Sequence, residues 1–280
     1  MIPSDHELDV ISHLARAAGR AILEVYGSDF DVRYKGRNDP VTDADLKAQE
    51  IIVSGLSRAF PNDGIVSEES PVSDDVRARS RVWYVDPMDG TGEFVARTGE
   101  FVVMIGLVEK GRPTCGVIYR PTEDVLYAGS HADGSWVVVD GARRRVTVSQ
   151  AGPPARLRLA VSRSHRHPII DSVKASLGNL EEIHCGSVGA KIGLLVEGLV
   201  DAYVEPSTYT SKWDVCAPDA ILRGAGGCLT DLGGKPVEYT EPDLKNRKGF
   251  IATNQRYHEA VLRAIPKSYV EKLLDVPNPG

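Results

Sequence analysis

Residues 82–91 read Val-Trp-Tyr-Val-Asp-Pro-Met-Asp-Gly-Thr, an apolar run that leads directly into two carboxylates. The β-branched and aromatic residues at its start are typical of a buried strand. Pro87 stiffens the chain between Asp86 and Asp89, and Gly90 frees it to turn. The pattern therefore predicts a strand that ends at a rigid, acidic bend.

Two carboxylates beside a buried strand cost free energy unless a partner neutralises their charge. A hard divalent cation is one such partner, because Mg²⁺ prefers oxygen ligands in octahedral geometry at about 2.0–2.1 Å. The residues after Gly90 can start a helix, whose free N–H groups could hold a phosphate. A metal and a phosphate at one site indicate phosphate-ester chemistry. The alternative is an Asp-Pro turn followed by a glycine turn, with no ligand.

The composition of the chain limits the classes of protein it can be. Its 280 residues suffice for one large domain or two closely packed lobes. The net charge of −6, with no basic block longer than residues 143–145, argues against a nucleic-acid partner. No window approaches the roughly 20 apolar residues of a membrane span. We therefore expect a small-molecule partner and neither a nucleic acid polymer nor a membrane, while the composition leaves monomer and homodimer open.

The cysteines and the first residues bear on the compartment. None of the four cysteines forms a Cys-x-x-Cys pair, so a zinc site is not expected, and three of them lie in apolar surroundings. The first residues lack the basic and apolar regions of a signal peptide. We therefore expect a cytoplasmic, reducing environment.

Two different patterns of apolar residues divide the chain near residue 150. Residues 1–150 begin with two stretches of helical periodicity, which Ser4 and Thr42 are placed to cap. The buried face predicted for the second helix is Leu46, Ile51, Ile52, Leu56 and Phe60. Short β-type runs follow at 64–67, 101–109, 114–120, 124–129, 135–139 and 145–149. We therefore predict an α+β lobe of two helices and a mostly antiparallel sheet.

Residues 151–280 show a different pattern, in which strand-like and helix-like runs alternate. The strand-like runs are 157–162, 181–185, 199–205, 228–232 and 249–253, and the helix-like runs are 167–178, 188–197, 214–225 and one from about 256. Such alternation predicts a layered α/β lobe with a mixed or parallel sheet. Residues 150–154, rich in Pro and Gly, mark the boundary, and we expect the last six residues to be loose.

Acidic residues stand where several of these predicted elements begin or end. They are Asp45, Glu68, Asp86, Asp89 and Asp214. Loops at strand ends are where α/β proteins build their sites, so these carboxylates could meet. The plainer alternative for each is a solvated cap, and Asp45 would be favoured by the helix dipole in a first turn. The sequence leaves both alternatives open.

Four short motifs in order resemble one known family. They are residues 39–45 (Asp-Pro-Val-Thr-Asp-Ala-Asp), 66–69 (Val-Ser-Glu-Glu), 86–91 (Asp-Pro-Met-Asp-Gly-Thr) and 213–218 (Trp-Asp-Val-Cys-Ala-Pro). The set resembles the signatures of the inositol monophosphatase superfamily, the lithium-sensitive, magnesium-dependent phosphatases. The similarity runs from the first helix to residues 251–254. It implies an α/β (α+β) fold of the sugar-phosphatase type, a stacked α-β-α-β-α sandwich.

The resemblance also implies roles for individual residues. The ligands of two or three Mg²⁺ ions would be Glu68, Asp86, the Met88 backbone carbonyl, Asp89 and Asp214. Asp45 and Thr91 would orient and deprotonate the attacking water. The N–H groups of Gly90 and Thr91 would grip the phosphate, and Asp214 would also contact the substrate. This division of labour suits phosphoryl transfer, which needs in-line positioning and neutralised charge.

Further segments are similar to one branch of the family, the 3′(2′),5′-bisphosphate nucleotidases. They are residues 98–102, 109–113, 116–121 and 212–218. These enzymes remove the 3′-phosphate from 3′-phosphoadenosine 5′-phosphate, a by-product of sulfate assimilation. The resemblance implies that His165, Ser187 and Lys191 bind the nucleotide, with the 5′-phosphate at a helix start. A surface histidine, a helix cap and a solvated lysine are the plainer alternatives.

Two positions depart from the nucleotidase pattern. Gly92 stands where those enzymes usually have Lys, and Glu205 where some have Arg. One positive charge is then missing and one negative charge would repel a phosphate, so adenine recognition stays open. The alternatives are an inositol monophosphatase, a broad sugar-phosphate phosphatase, a fructose 1,6-bisphosphatase, or a non-catalytic nucleotide- or metal-binding sensor. Asp45 and Thr91 argue against the sensor, because binding alone needs no residue that activates water.

Overall fold

The computed structural model describes residues 5–36 and 39–274. The cap predicted at Ser4 and the tail from residue 275 lie outside the described residues. Within the described ranges, no helix has both the length and the apolar character that crossing a bilayer requires.

The first half of the chain forms helices around one large sheet. Its helices are α1 (Asp5–Tyr26), α2 (Asp43–Ala59), α3 (Asp74–Arg77) and α4 (Thr91–Val95), and its strands are β1 (Arg33–Gly36), β2 (Asp39–Val41), β3 (Gly64–Ser67), β4 (Arg81–Asp89), β5 (Val102–Glu109), β6 (Arg112–Arg120), β7 (Val125–Ser130), β8 (Gly134–Val139) and β9 (Ala142–Val146). Strands β1 and β2 form a hairpin, and β3 to β9 form a seven-stranded sheet in chain order. Strands β3 and β4 are parallel and the following neighbours antiparallel, which confirms the prediction for this lobe.

The second half alternates strands with helices. Its strands are β10 (Leu157–Ser162), β11 (Leu180–Cys185), β12 (Ala202–Glu205), β13 (Cys228–Thr230) and β14 (Phe250–Thr253), and its helices are α5 (Ile169–Leu177), α6 (Val188–Val196), α7 (Lys212–Gly224), α8 (His258–Ala264) and α9 (Lys267–Leu274). The strands form a mixed sheet in the order β11-β10-β12-β14-β13. Strand β10 pairs in parallel with β11 and β12, and β14 runs antiparallel to both its neighbours.

Three hydrophobic cores show that the layers stack as α-β-α-β-α. One core joins α1 and α2 to one face of the seven-stranded sheet. A second joins the opposite face of that sheet to α6, α7 and the five-stranded sheet. The third lies between the five-stranded sheet and α5 and α8. The predicted sandwich is therefore confirmed, and the two halves of the chain share a core instead of folding as separate bodies.

Two local predictions were wrong. Strand β4 does not end before the acidic bend, because Asp89 still pairs with Val102 across a register shift that lies between Asp86 and Asp89. The motif is therefore a bulge inside a paired strand. Leu46, predicted to be buried, is 42% exposed. The buried residues of α2 form a stripe at four-residue spacing that starts at Ala44, and Leu46 lies off that stripe.

Glycines allow helix α7 to lie directly on the seven-stranded sheet. A Cβ at Gly106 in β5 would come within 2.5 Å of the Ala217 backbone nitrogen, and one at Gly116 in β6 within 2.7 Å of the Ala217 Cα. Because these two glycines on adjacent strands have no side chains, the backbone of α7 can pack directly against the backbone of the sheet. This contact sets the height of the N-terminus of α7 above the sheet, where Asp214 lies.

Replacing Gly106 with Ala should destabilise the fold by about 1–3 kcal/mol, because the added methyl group overpacks a contact with helix backbone. Chemical unfolding of the purified protein would measure this as a lower midpoint with an unchanged slope. Gly27→Ala is the matched control, since a Cβ there would meet its nearest atom at 3.4 Å. Equal stability of Gly106→Ala and the parent would show that α7 does not rest on the sheet in this way.

Candidate active site

The N-terminus of α2 holds Asp45 in a fixed orientation. Asp45 is 2% exposed, and its Oδ2 accepts the Thr42 backbone N–H at 2.7 Å and the Thr42 hydroxyl at 2.8 Å. Its other oxygen, Oδ1, lies 3.0 Å from the Thr91 hydroxyl. Burial raises the pKa of Asp45, and the bonds from Thr42 and Thr91 oppose that rise. The predicted pair Asp45 and Thr91 therefore meets, although 46 residues separate them.

In the bulge of β4, the side chain of Met88 points into the core while its backbone groups face the site. The Met88 side chain is buried in the core, with 1% exposure, so only its main chain faces the site. The Met88 backbone N–H donates to Asp86 Oδ1 at 3.0 Å, and the Met88 carbonyl lies 3.2 Å from the Thr91 hydroxyl. An apolar side chain at position 88 therefore fits a role for its carbonyl oxygen.

Asp214 enters the site from the opposite side, on the first turn of α7. Its Oδ2 accepts the Ser211 backbone N–H at 2.6 Å, so the carboxylate lies at the positive end of the helix dipole. Burial, followed by repulsion from Asp89 and Glu68, raises the pKa of Asp214 to about 8. Asp86 is also buried, and burial together with Glu68, Asp214 and Asp89 raises its pKa well above the ordinary value. The predicted carboxylates therefore converge.

The carboxylates are close together without being set around one point. Among the described residues, no group of three or more His, Cys, Asp or Glu side chains has the arrangement of a metal site. Glu68 is instead hydrogen-bonded to the ammonium group of Lys35, and Asp89 to the hydroxyl of Ser187. The atoms that could ligate a metal are all oxygens. A hard divalent cation would relieve the repulsion among the carboxylate groups. Glu68, Asp86, Asp89, Asp214 and the Met88 carbonyl thus offer the type of oxygen atom that Mg²⁺ prefers.

Lys35 was not anticipated from the sequence. Its Nζ donates to Glu68 Oε1 at 2.8 Å and to Glu69 Oε1 at 2.7 Å, from the hairpin of β1 and β2. Burial raises the pKa of Glu69, against the effect of Lys35. The ammonium group places one positive charge at the edge of the carboxylate cluster. Its segment, residues 33–36, carries no motif that would have drawn attention to it.

Of the residues predicted to bind the nucleotide, His165 lies in the loop after β10, and Ser187 and Lys191 lie at the start of α6. A small pocket is lined by His165, Tyr203 and Glu205, with the His165 side chain exposed at its rim. Lys191 is 2% exposed, and its Nζ lies 4.8 Å from the centre of the Tyr203 ring. Lys191 is therefore not the solvated helix residue that we considered. Ser187 caps α6 and accepts the Ala190 N–H at 3.0 Å.

Helix α6 links the pocket to the carboxylate cluster, because its Gly189 N–H bonds Asp89 and its Lys191 lies against Tyr203. Tyr203 is buried, and besides this burial the charges of Glu205, Asp89 and Asp214 raise its pKa. The Tyr203 hydroxyl is therefore influenced by the charge of Glu205 in the pocket and by those of Asp89 and Asp214 in the carboxylate cluster. Gly92 stands where nucleotidases usually have Lys. Apart from the adjoining residues and the backbone of α4, no described heavy atom lies within 4 Å of a Cβ added there, so the departure leaves open space at the start of α4.

Comparisons with known proteins agree with this architecture. A model of the inositol monophosphatase family matches residues 5–269. The 3′(2′),5′-bisphosphate nucleotidase CysQ of Escherichia coli K12 is 37% identical over 246 residues, which cover 87% of this chain and 98% of that protein. The enzyme of the same name from Salmonella typhimurium is 36% identical, over 88% of this chain and 99% of its own.

Solved structures show the same fold. CysQ from Bacteroides thetaiotaomicron, described as a bacterial member of the inositol monophosphatase family, superposes with a TM-score of 0.77 at 32% identity, over 89% of this chain and 97% of its own. The extragenic suppressor protein suhB from Bartonella henselae has a TM-score of 0.80 at 28% identity, over 94% of this chain and 99% of its own.

Removing divalent cations should make folding stability decline as the pH rises. The pKa of Asp214 is about 8 in the folded protein and roughly 3.9 in an unfolded chain. A carboxyl whose pKa is raised by folding binds its proton more tightly when folded, so its favourable contribution is lost between about pH 4 and pH 8. In EDTA, Asp214→Asn should therefore gain melting temperature over the parent as the pH rises, measured by differential scanning fluorimetry.

Saturating Mg²⁺ should raise the melting temperature of the parent and do so more at pH 8 than at pH 5, because protons and the cation compete for the same carboxylates. Asp214→Asn should show a smaller Mg²⁺ shift. NaCl at the same ionic strength is the control. If Mg²⁺ and NaCl give equal shifts, these carboxylates are not a cation site.

Proposed function

The chain belongs to the inositol monophosphatase family, and we propose that it is a Mg²⁺-dependent phosphomonoesterase that removes the 3′-phosphate of 3′-phosphoadenosine 5′-phosphate. The observation that carries the proposal is the contact between Asp45 and Thr91, 3.0 Å apart at the edge of a carboxylate cluster. The names of the relatives, 3′(2′),5′-bisphosphate nucleotidases at 37% identity, support the substrate.

Asp45 and Thr91 activate the attacking water, and backbone N–H groups bind the phosphate. Thr91 orients the attacking water and accepts a proton from it as the Thr91 hydroxyl proton passes to Asp45 Oδ1, 3.0 Å away. The water oxygen then bonds to phosphorus while the bond from phosphorus to the ribose 3′-oxygen breaks, and that leaving oxygen takes up a proton from solvent. Because burial raises the pKa of Asp45, this carboxylate accepts the proton more readily than an exposed one. The N–H groups at the start of α4, from Gly90 and Thr91, have no partner within the helix and can hold phosphate oxygens. Bound Mg²⁺ would supply Lewis-acid polarisation and charge neutralisation.

Gly90 is required at the turn between the carboxylates and α4. Its φ of +98° lies in the left-handed region, and a Cβ there would come within 3.0 Å of the Glu100 carbonyl oxygen. A residue without a side chain therefore lets the backbone approach the phosphate.

One observation favours a second candidate, an inositol monophosphatase or a broader sugar-phosphate phosphatase. Glu205 lines the pocket beside His165, and its carboxylate accepts the Tyr203 hydroxyl at 2.6 Å and the Ser207 N–H at 3.0 Å. A carboxylate there would repel a 5′-phosphate and could accept hydrogen bonds from polyol hydroxyls. Phosphate release from the bisphosphate nucleotide and from inositol 1-phosphate, measured side by side with Mg²⁺, separates the two substrates.

Asp45→Asn should lower kcat by about 10²–10⁴-fold, because the amide cannot accept a proton. Stopped assays of phosphate release would measure the rate, and calorimetric titration would show that Mg²⁺ still binds. Asp43→Asn, an exposed residue of the same helix turn, is the matched control. A parent protein that binds the nucleotide and Mg²⁺ but releases no phosphate would instead be a sensor.

Glu205→Gln should raise kcat/KM for the bisphosphate nucleotide about fivefold relative to inositol 1-phosphate, since it removes a like charge from the pocket, worth roughly 1 kcal/mol. Competition between the two substrates gives the ratio directly. Glu259→Gln, whose side chain is 85% exposed on α8, is the control. An unchanged ratio would mean that the second phosphate lies away from Glu205.

A further inference from the structure

We propose that Ser187 is a positioning residue for Asp89. Its hydroxyl holds one carboxylate oxygen of Asp89 so that the other oxygen faces the cation site. This inference rests on the proposed function, in which Asp89 is a Mg²⁺ ligand. It differs from the role that the sequence resemblance implied for Ser187, which was contact with the 5′-phosphate of the substrate.

Two donors from the start of α6 reach the same oxygen of Asp89. The Ser187 hydroxyl lies 2.7 Å from Asp89 Oδ2, and the Gly189 backbone N–H lies 2.8 Å from it. Among the described residues, hydrogen bonds to Asp89 Oδ1 are absent. The carboxylate is therefore anchored at one oxygen and leaves the other for a cation.

The direction of the Ser187 bond follows from its second contact. Ser187 Oγ accepts the Ala190 backbone N–H at 3.0 Å, as an N-cap does. A serine hydroxyl has one proton, and Asp89 is the acceptor that receives it. A substrate phosphate could take this proton only by displacing Asp89. The hydroxyl is thus committed to the metal ligand.

The backbone at Ser187 is strained in a way that a glycine would relieve. Its φ of +55° lies in the left-handed region, which residues with a side chain seldom adopt. Glycine would adopt it freely but would lack the hydroxyl. Backbone strain of this kind persists where the side chain has a specific role. The role of Ser187 follows from its two hydrogen bonds, one accepted from the Ala190 N–H and one donated to Asp89.

The segment that carries Ser187 is seated tightly on the first half of the chain. An added Cβ at Gly90 would lie 3.3 Å from the Ser187 Cβ, and one at Gly186 would lie 2.4 Å from the Glu93 Cγ. Glu100 accepts the Gly186 N–H at 2.6 Å. The start of α6 is therefore packed closely against the residues that follow β4, which places both donors on the same oxygen of Asp89. Carboxylate ligands that are held by outer hydrogen bonds bind metals more tightly.

The test compares Ser187→Ala and Ser187→Gly with the parent chain of 280 residues. Mg²⁺ affinity is measured by calorimetry, and kcat and KM are measured for the bisphosphate nucleotide and for inositol 1-phosphate. We expect both variants to bind Mg²⁺ about tenfold or more weakly. Activity at limiting Mg²⁺ should fall equally for both substrates, and excess Mg²⁺ should restore part of it. Ser187→Gly should melt at a higher temperature than Ser187→Ala, because only glycine relieves the strain.

Ser149→Ala is the matched control. Ser149 Oγ also accepts a backbone N–H, from Ala151 at 3.0 Å. Its removal should leave Mg²⁺ affinity unchanged. Parent-like Mg²⁺ affinity in both Ser187 variants, with a rise in KM confined to the bisphosphate, would overturn the inference and make Ser187 a substrate contact. A parent that binds no Mg²⁺ would overturn the proposed function and this inference together.

Discussion

Repulsion among buried carboxylates is the constraint on which the rest of this structure depends. Asp86 is 1% exposed, and Glu68, Asp89 and Asp214 are near enough to raise the pKa of its carboxyl group. Burial removes the water that would otherwise stabilise these charges. Folding therefore brings together groups that oppose one another, and cations are what can make the arrangement favourable.

Three aspartates of the site accept hydrogen bonds from backbone N–H groups at helix N-termini. Asp45 accepts a backbone N–H at the start of α2, Asp214 at the start of α7 and Asp89 at the start of α6. Each carboxylate thus meets the positive end of a helix dipole and is oriented by a main-chain donor. The layered fold makes this possible, because α2 lies on one side of the seven-stranded sheet while α6 and α7 lie on the other. The bulge in β4 lies between them.

Two lysines bring positive charge close to residues of the site. Lys35 bonds Glu68 from the β1–β2 hairpin, and Lys191 lies buried against Tyr203, which lines the pocket. The acidic chain therefore has local cationic points where an anionic substrate would approach. Glu205, which also lines this pocket, has the opposite charge, so the preference of the pocket among phosphate esters depends on small differences in binding free energy.

The sequence by itself determined the antiparallel and mixed sheets, because the hydrophobic periodicity of each segment records which of its faces is buried. The resemblance of its short motifs to one family implied the layer order and the set of acids. The sequence also identified Thr42 as the N-cap of α2, because the partner of Thr42 in the capping box, Asp45, is only three residues away in the sequence. Only the tertiary structure decided that β4 continues through the acidic bulge, that Leu46 is exposed, that Lys35 meets Glu68 and that Ser187 holds Asp89. The last contact joins residues 98 positions apart. Such contacts depend on strand register and on how closely helices lie on a sheet, and those follow from the packing of the whole chain.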